Sequence, residues 1–251
     1  MSAGLKAASP AAASADVDAP GAASPAGASP AGASADVLGA AREQVRAALL
    51  PLLAGCGGVP PVDLRGQLIR PLTSHAAALA LGCGGDARAG YGALAVQLAH
   101  EASLVHDDIV DGAATRRGEP TLAVAKGVGA ALVAGDHLLS WAYRLAARTG
   151  SLAYAELFAE AVERTIAGEI AQGRATGRIL DPDEYERIAL DKAGALLGCA
   201  LAAAPAVRGR DDVRAFYDLG RSLGLLYQRL DDLLDYCPLT ETGKPPLGDY
   251  A

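Results

Sequence analysis

Aromatic side chains are scarce in this sequence. Its 251 residues include two Phe and one Trp, and aromatic residues make up 4% of the chain. A β-sandwich depends on aromatic and β-branched residues packed on its pleated faces, so their scarcity disfavours that class. Hydrophobic residues still make up 51%, with Ala, Leu and Gly dominant. This composition is typical of helices packed through small aliphatic side chains, and we expect an all-α protein.

The sequence also lacks a net positive charge, CxxC cysteine pairs and long apolar runs. A net charge of −7 disfavours a general nucleic-acid binder, whose surface would be basic. The four cysteines form no CxxC pair, which is typical of a cytoplasmic protein with reduced thiols. No run of 18 or more apolar residues predicts a transmembrane segment, and the N-terminus lacks the apolar core of a signal peptide.

The first 34 residues are mainly Ala, Ser, Pro and Gly, and they contain the near-repeat SPAGASPAGAS. Such a segment offers too little apolar surface to offset the entropy of ordering, so we expect a disordered tail over 1–34 and a helical domain over 35–251.

Asp181 followed by Pro182 is a typical helix start. No strand-turn-strand punctuation is seen, and apolar spacing predicts helices over 37–54, 68–81, 89–111, 131–148, 153–172, 181–192 and 213–236.

An acidic cluster lies within the stretch QLAHEASLVHDDIVDGAATRRGEPT. On a helix, Asp107, Asp108 and Asp111 project toward one side. Like charges in a half-buried place are costly unless a cation neutralises them, and an all-oxygen cluster suits Mg²⁺ better than zinc. The nearby Arg116 and Arg117 carry guanidinium groups, which fit phosphate oxygens. The pattern therefore predicts a metal–diphosphate site.

A second cluster in YQRLDDLLD repeats this spacing with Asp231, Asp232 and Asp235. One such cluster on a helix is usually a solvated face. Two clusters, each following an apolar run and one followed by RRG, favour a diphosphate site.

The pair HDDIVD…RRGEPT and YQRLDDLLD resembles the trans-polyprenyl diphosphate synthases of the all-α isoprenoid synthase family. The resemblance extends from about Leu64 to the last residue. RGQLIRP resembles a degenerate form of the family's GGKRxRP, and GDHLL, GEIAQ and GKPPLGD resemble its GDxLL, GExxQ and GKPxGxD segments. The resemblance implies a helical bundle around a central cavity, and a homodimer.

It also implies an activity with named residues. Magnesium would assist ionisation of an allylic diphosphate, and the cation would then be attacked by isopentenyl diphosphate. The metal ligands would be Asp107, Asp108, Asp111, Asp231, Asp232 and Asp235. The allylic diphosphate would be contacted by Arg116, Lys192 and Lys244. Isopentenyl diphosphate would be contacted by Arg70, His100 and Arg117. Gln228, one turn before the second cluster, would line the reaction centre.

Product length in this family follows from the floor of an apolar tunnel. Bulky side chains four and five residues before the first aspartate block the growing chain. Here these positions are Ser103 and Ala102, both small. The resemblance therefore implies a product longer than farnesyl diphosphate, from geranylgeranyl diphosphate upward.

Two departures from the family pattern concern binding and completeness. Gln67 and Leu68 stand where the family has Lys and Arg, and a lost charge-assisted contact to phosphate costs roughly 1.5–3 kcal/mol. Arg42 and Arg46 are interpreted as solvated charges on a helix face. The sequence ends at Ala251, just past the GKP segment, where family members usually continue for several helices.

Three functions stay open. The first is an active prenyl chain elongase, alone or within a longer polypeptide. The second is a terpene cyclase, which shares the ionisation chemistry, although cyclases generally carry an Asn/Ser/Glu metal motif in place of the second acidic cluster and lack RRG. The third is a catalytically weakened or regulatory subunit that partners an active synthase.

Overall fold

The structure, a computed structural model, describes residues 30–58, 64 and 66–234, with side chains from residue 37 onward. The chain divides into a unit of residues 1–37 and a unit of residues 38–251, and the packing described below is that of the second. Helix α1 begins at Pro30, inside the segment expected to be a tail. The expectation for residues 1–29 lies outside the described residues.

The described part is helical, as the composition predicts, apart from one short hairpin. Strands β1 (Thr115–Arg116) and β2 (Glu119–Pro120) pair antiparallel, which the sequence reading missed. A π-helical turn, Leu190–Gly194, joins α7 to α8. The helices are α1 Pro30–Ala54, α2 Ile69–Ala80, α3 Ala87–Val110, α4 Leu122–Lys126, α5 Val128–Arg148, α6 Leu152–Ala175, α7 Pro182–Ala189, α8 Ala195–Val207 and α9 Val213–Leu234.

Side-chain caps fix several helix starts. The carboxylate of Asp181 accepts a hydrogen bond of 2.8 Å from the Glu184 amide, and Pro182 follows at the first helical position. This confirms the predicted helix start. Ser151 caps α6 in the same manner through the Tyr154 amide, at 3.2 Å. Each cap satisfies an amide that the helix itself leaves unpaired.

The hydrophobic core lies mainly among α3, α5, α6 and α8. Its large members include Leu94, Leu98, Leu145 and Phe158, which are fully buried. Alanines fill much of the remaining core, so helices approach one another closely. The Tyr154 hydroxyl crosses this core and donates to the Gly92 carbonyl oxygen at 2.9 Å.

Helix α8 is buried on every side, and the sequence reading did not recognise it as a separate helix. The continuous helical segment Pro182–Val207 is long and apolar enough to cross a membrane by length and composition alone, and 78% of its apolar window is buried in the structure. A core helix has the same properties, so the segment is weak evidence of a membrane span.

Glycines on both helices bring α9 against α8 and the π turn. A Cβ placed on Gly220 would lie 2.6 Å from the Gly198 Cα and 2.7 Å from the Leu197 carbonyl oxygen. Gly224 meets Gly194 in the same close manner, one turn further along. Because backbone touches backbone, neither helix can shift to admit a side chain. This contact sets the position of the second acidic cluster at the end of α9.

We expect Gly220→Ala to destabilise the protein by roughly 1–3 kcal/mol, because the new methyl group would clash with backbone atoms. Gly173 is the matched control, since it also lies in a helix but has open space around its Cα. Gly173→Ala should stabilise by up to about 1 kcal/mol. Urea unfolding of the three proteins measures both changes. Equal stability of Gly220→Ala and wild type would contradict the close contact.

Candidate active site

The first acidic cluster occupies the C-terminal end of α3, and its three carboxylates have different surroundings. Asp108 is buried, and its Oδ1 accepts two hydrogen bonds of 2.8 Å from the Nε and Nη2 of Arg116. Asp107 is half-buried, while Asp111 is exposed at the end of the helix. The structure therefore gives one carboxylate of the cluster a fixed cation and leaves two facing outward.

Asp107 is held in an unfavourable environment for a charged group. Burial raises the pKa of Asp107 to about 6, with a further contribution from the negative charge of Glu169 and a smaller one from Asp111. Lys192 and Arg116 oppose this rise but do not cancel it. A carboxylate with a raised pKa is stabilised in its charged form by an added cation. Asp107 therefore has the chemistry expected of a metal ligand.

The hairpin sends the two neighbouring arginines to different places. Its turn residues Arg117 and Gly118 have φ values of 53° and 81°, and positive φ at both positions is typical of a type I′ turn. Arg116, on β1, points to Asp108. Arg117, in the turn, lies against the loop that precedes α2, where a Cβ on Gly66 would meet its Nη2 at 3.5 Å. The RRG sequence thus contributes one cation to each of two adjoining regions.

A second group of predicted residues meets beside this loop. Burial lowers the pKa of the Arg70 guanidinium to about 10, and its Nε has no hydrogen-bond partner in the described part of the chain. The pKa of His100 is lowered well below its usual value by burial, and then by the charges of Arg70, Arg117 and Arg116. The imidazole is therefore neutral among cations. Such a pocket is suited to an anion.

The loop before α2 shows that two arginines were interpreted wrongly. Arg46 donates from Nε and Nη2 to the Leu64 carbonyl oxygen at 3.0 and 2.8 Å, and Arg42 donates to the side-chain oxygen of Gln67. Both arginines therefore hold the loop and are not solvated charges. Leu68 has a φ of 52° and its side chain is buried in the core, so this position does not face a substrate.

Lys192 lies in the π turn, close to the first acidic cluster. Its Nζ forms an ion pair of 2.6 Å with the Glu169 carboxylate on α6. The π turn packs directly on α6, because a Cβ on Gly168 would lie 2.6 Å from the Lys192 amide nitrogen. Glu169 belongs to the GEIAQ segment, but its contact with Lys192 was not predicted. Its close neighbour Gly168 was the available signal, since a helical glycine often marks a close approach.

The carboxylate next to Lys192 anchors the π turn from both sides. Asp191 Oδ1 accepts from Arg164 of α6 at 3.4 Å and from Arg221 of α9 at 3.2 Å. Three elements therefore meet at one carboxylate, and the sequence gives no local sign of this. The contact fixes the turn that presents Lys192.

In the second acidic cluster, Asp232 is bound by protein donors. The Tyr185 hydroxyl donates to its Oδ2 at 2.5 Å, and Gln228 Nε2 donates to its Oδ1 at 2.7 Å. Asp231 is half-buried beside it. Tyr185 of α7 and Gln228 of α9 are thereby brought to this cluster, and the contact of Tyr185 with Asp232 was not predicted. Asp235 and Lys244 lie outside the described residues.

The described residues contain no group of three or more His, Cys, Asp or Glu side chains close enough to bind one metal ion together. The carboxylates of Asp108 and Asp232 are occupied by Arg116, Tyr185 and Gln228. The remaining donors are carboxylate oxygens, which suit a hard cation such as Mg²⁺. The described carboxylates therefore have the right chemistry for magnesium, but Asp108 and Asp232 would have to exchange their present partners to bind it.

A small apolar cavity of about 50 Å³ lies below the first cluster. Both predicted length-determining residues, Ala102 and Ser103, line it, together with Leu139, Val162 and Leu196. The Ser103 hydroxyl is turned away to the His100 carbonyl oxygen, at 2.9 Å. A larger cavity of about 280 Å³ lies among α1, α2 and α3 and includes none of the predicted site residues.

The helical fold and the carboxylate and arginine groups place this chain in the isoprenoid synthase class. Polyprenyl synthetase from Streptomyces coelicolor A3(2) superposes with a TM-score of 0.76 at 26% identity, over 84% of this chain and 71% of its own. Decaprenyl diphosphate synthase from Rhodobacter capsulatus superposes with a TM-score of 0.65 at 29% identity, over 83% and 66%. The sequence profile of the polyprenyl synthetase family matches residues 61–251, and this chain belongs to that family.

Two curated relatives show similar levels of identity. Octaprenyl diphosphate synthase from Escherichia coli (strain K12) is 34% identical over 177 residues, which are 68% of this chain and 54% of the relative. Geranylgeranyl diphosphate synthase from Mycobacterium tuberculosis (strain ATCC 25618 / H37Rv) is 35% identical over 196 residues, which are 74% and 55%. The chain therefore spans about half the length of the curated relatives it matches.

The pKa of Asp107 predicts how stability depends on pH in the absence of metal. Its folded-state pKa of about 6 lies above the ordinary value of 3.8, so wild-type stability falls as pH rises through this range. Asp107→Asn should escape that loss and be more stable than wild type at pH 8, by on the order of 1–2 kcal/mol after allowance for partial exposure. The difference should vanish at pH 4.

Urea unfolding in EDTA at pH 4, 6 and 8 measures the effect. Asp211→Asn is the control, because Asp211 is exposed in the turn before α9 and its loss should leave the pH dependence unchanged. Parallel pH curves for wild type and Asp107→Asn would contradict the raised pKa.

Proposed function

We propose that this chain carries the active site of a prenyltransferase, which condenses isopentenyl diphosphate with an allylic diphosphate to make a trans-polyprenyl diphosphate. The observation that supports it most is the division of the RRG arginines. Arg116 joins the acidic cluster at Asp108, and Arg117 joins the cationic group around His100. Two adjoining groups, one rich in carboxylates and one in which the arginines outnumber the carboxylate of Glu101, fit two different diphosphates.

The acidic side would bind the allylic diphosphate. When bound, magnesium would neutralise the diphosphate leaving group as the carbon–oxygen bond ionises. Its ligands would be the two acidic clusters, Asp107, Asp108, Asp111, Asp231, Asp232 and Asp235. Arg116 and Lys192 would contact the leaving oxygens directly, with Lys244 as a third cation. In the structure, Lys192 forms an ion pair with Glu169. To contact the diphosphate, Lys192 would exchange this carboxylate for a phosphate oxygen.

The cationic side would bind isopentenyl diphosphate. Arg70 and Arg117 would form charge-assisted hydrogen bonds to its phosphate oxygens. His100 is neutral beside them, so it can donate one hydrogen bond without adding repulsion among the cations. Gln228 is held by Asp232 one turn before the second cluster and would line the place where the two substrates meet.

The cavity below Asp107 would accept the prenyl chain. A carbocation needs an environment without water, and the cavity is lined largely by aliphatic side chains. The cavity of about 50 Å³ is smaller than a prenyl chain, so the chain would enlarge it, and the small side chains of Ala102 and Ser103 would leave its path open. We therefore propose geranylgeranyl diphosphate or a longer product.

The first test is elongation by the purified protein. Labelled isopentenyl diphosphate and Mg²⁺, with geranyl, farnesyl or geranylgeranyl diphosphate, should yield products that require the metal. Asp107→Ala should lower kcat by a factor of about 10² or more, because it removes a ligand of the magnesium that would neutralise the leaving diphosphate. Asp211→Asn should keep wild-type activity. Folded wild-type protein that makes no product with any primer would contradict an autonomous elongase.

Product length is tested at Ser103. Ser103→Phe should shorten the products by one or more isoprene units, because the ring would fill a cavity of about 50 Å³. Ser103→Ala is the control and should leave the length unchanged, since the hydroxyl already points to a backbone carbonyl. Chromatography of the dephosphorylated products measures the length. Products of wild-type length from Ser103→Phe would contradict this position of the tunnel.

A subunit of a larger synthase is the second candidate, and the surface of α9 favours it. Five leucines at positions 219, 223, 226, 230 and 233 are between 41% and 64% exposed along one side of this helix, close to the second acidic cluster. An apolar row of this spacing is typical of a helix that packs against another helix. Failure of the isolated chain to elongate any primer would favour this candidate.

The oligomeric state and the cyclase alternative follow from the family resemblance, and the compartment follows from the cysteine pattern. We propose a homodimer in the cytoplasm, with no nucleic-acid partner. A terpene cyclase would release hydrocarbon from an allylic diphosphate without isopentenyl diphosphate. The elongation assay without isopentenyl diphosphate distinguishes that activity.

A further inference from the structure

The loop before α2 lacks two charges that its sequence relatives would place there. Gln67 and Leu68 stand at the positions of Lys and Arg in the resembling GGKRxRP segment. Gln67 is neutral, and Leu68 is turned into the core. If isopentenyl diphosphate binds beside this loop, another cation must replace the charges absent at positions 67 and 68.

Arg42 reaches this loop from α1. Its Nη2 donates to the side-chain oxygen of Gln67, so the guanidinium lies against the residue that replaces the lysine. The Nε of Arg42 is buried and has no hydrogen-bond partner among the described residues. Within that part of the chain Arg42 also forms no ion pair, whereas Arg46, one turn on, is paired with Glu43. Among the described residues, the Arg42 guanidinium is therefore bound by the amide oxygen of Gln67 and by no carboxylate.

Two other cations approach the same loop. Arg117 lies against Gly66, the residue next to Gln67. Arg70 follows on α2 and also has a buried Nε without a partner. A buried N–H group without a partner costs free energy, so two such groups near one loop indicate that an acceptor from outside the protein completes them.

The contact of Arg46 with Leu64 holds α1 close to the loop, and this places Arg42 near Gln67. The two hydrogen bonds of Arg46 to the Leu64 carbonyl oxygen fix the start of the loop to α1. Arg42 lies one turn earlier on the same helix, so its distance from the loop is set by that anchor. The side chain needs no large movement to reach a ligand held at Gly66 and Gln67.

We propose that Arg42 is a binding residue for the isopentenyl diphosphate, and that its guanidinium, held at Gln67, supplies the positive charge absent at that position. This rests on the proposed function. It adds a residue from α1 to a site otherwise made from α2, α3 and the hairpin.

The test compares Arg42→Met with wild type, with Arg210→Met as the control. Methionine keeps an apolar stem for packing. Arg210 is an exposed arginine before α9 whose loss removes the same charge far from the loop in sequence, together with its pair to Asp212. Arg42→Met should raise the KM for isopentenyl diphosphate about ten- to a hundredfold, with a smaller change in kcat and in the KM for the allylic substrate. Arg210→Met should match wild type.

Rescue separates a charge role from a packing role. Gln67→Lys returns the cation directly to the loop, so the double variant Arg42→Met/Gln67→Lys should recover most of the KM for isopentenyl diphosphate. An unchanged KM in Arg42→Met would overturn the proposal. So would a rise in both KM values with a lower Tm and no rescue, because that pattern belongs to a structural residue.

Binding of isopentenyl diphosphate alone, measured by calorimetry, keeps this test separate from the proposed function. If wild type makes no product but binds isopentenyl diphosphate, only the activity fails. Weaker binding by Arg42→Met then supports the proposed role, and equal binding overturns it. Absence of binding by wild type would overturn both.

Discussion

Asp108 and Arg116 form the ion pair around which the site is arranged. Three carboxylates at the end of α3 repel one another, and burial of Asp108 would be costly without a cation at contact distance. With that charge matched by Arg116, the half-buried Asp107 has no such partner, and its burial, with the charges of Glu169 and then Asp111, raises its pKa to about 6. An added cation would therefore stabilise the charged form of Asp107.

The hairpin and the glycine contacts deliver groups to this place from distant parts of the chain. Positive φ at Arg117 turns two consecutive arginines toward separate regions. The contact of Gly220 with Gly198 sets α9 against α8, which brings Asp232 to the Tyr185 hydroxyl of α7. Asp191 joins α6 and α9 through the π turn. Backbone geometry therefore brings the elements of the site together, and side-chain contacts such as Tyr185 with Asp232 then fix individual groups.

Apolar spacing predicted most of the amphipathic helices within a few residues, because each has a polar side that faces solvent; α1 instead begins seven residues before its predicted start. Helix α8 was missed for the opposite reason, since every residue from Ala195 to Val207 is buried and leaves no periodicity. The acidic residues were found because their spacing lies within single helices. The roles of Arg42 and Asp191 were not predicted, because their partners are distant in sequence and no local pattern indicates the contact.

The contrast between local and distant contacts also applies to the charges absent at Gln67 and Leu68. When the loop is compared with the family's GGKRxRP segment by itself, Gln67 and Leu68 indicate weaker binding of phosphate. Such a comparison does not include cations from other helices. A diphosphate responds to the summed positive charge within hydrogen-bonding distance, whichever helix supplies it. Arg42 approaches Gln67 from α1, and Arg117 approaches Gly66 from the hairpin. Leu68 can then be an apolar core residue, because the charge at this place no longer has to come from the loop itself.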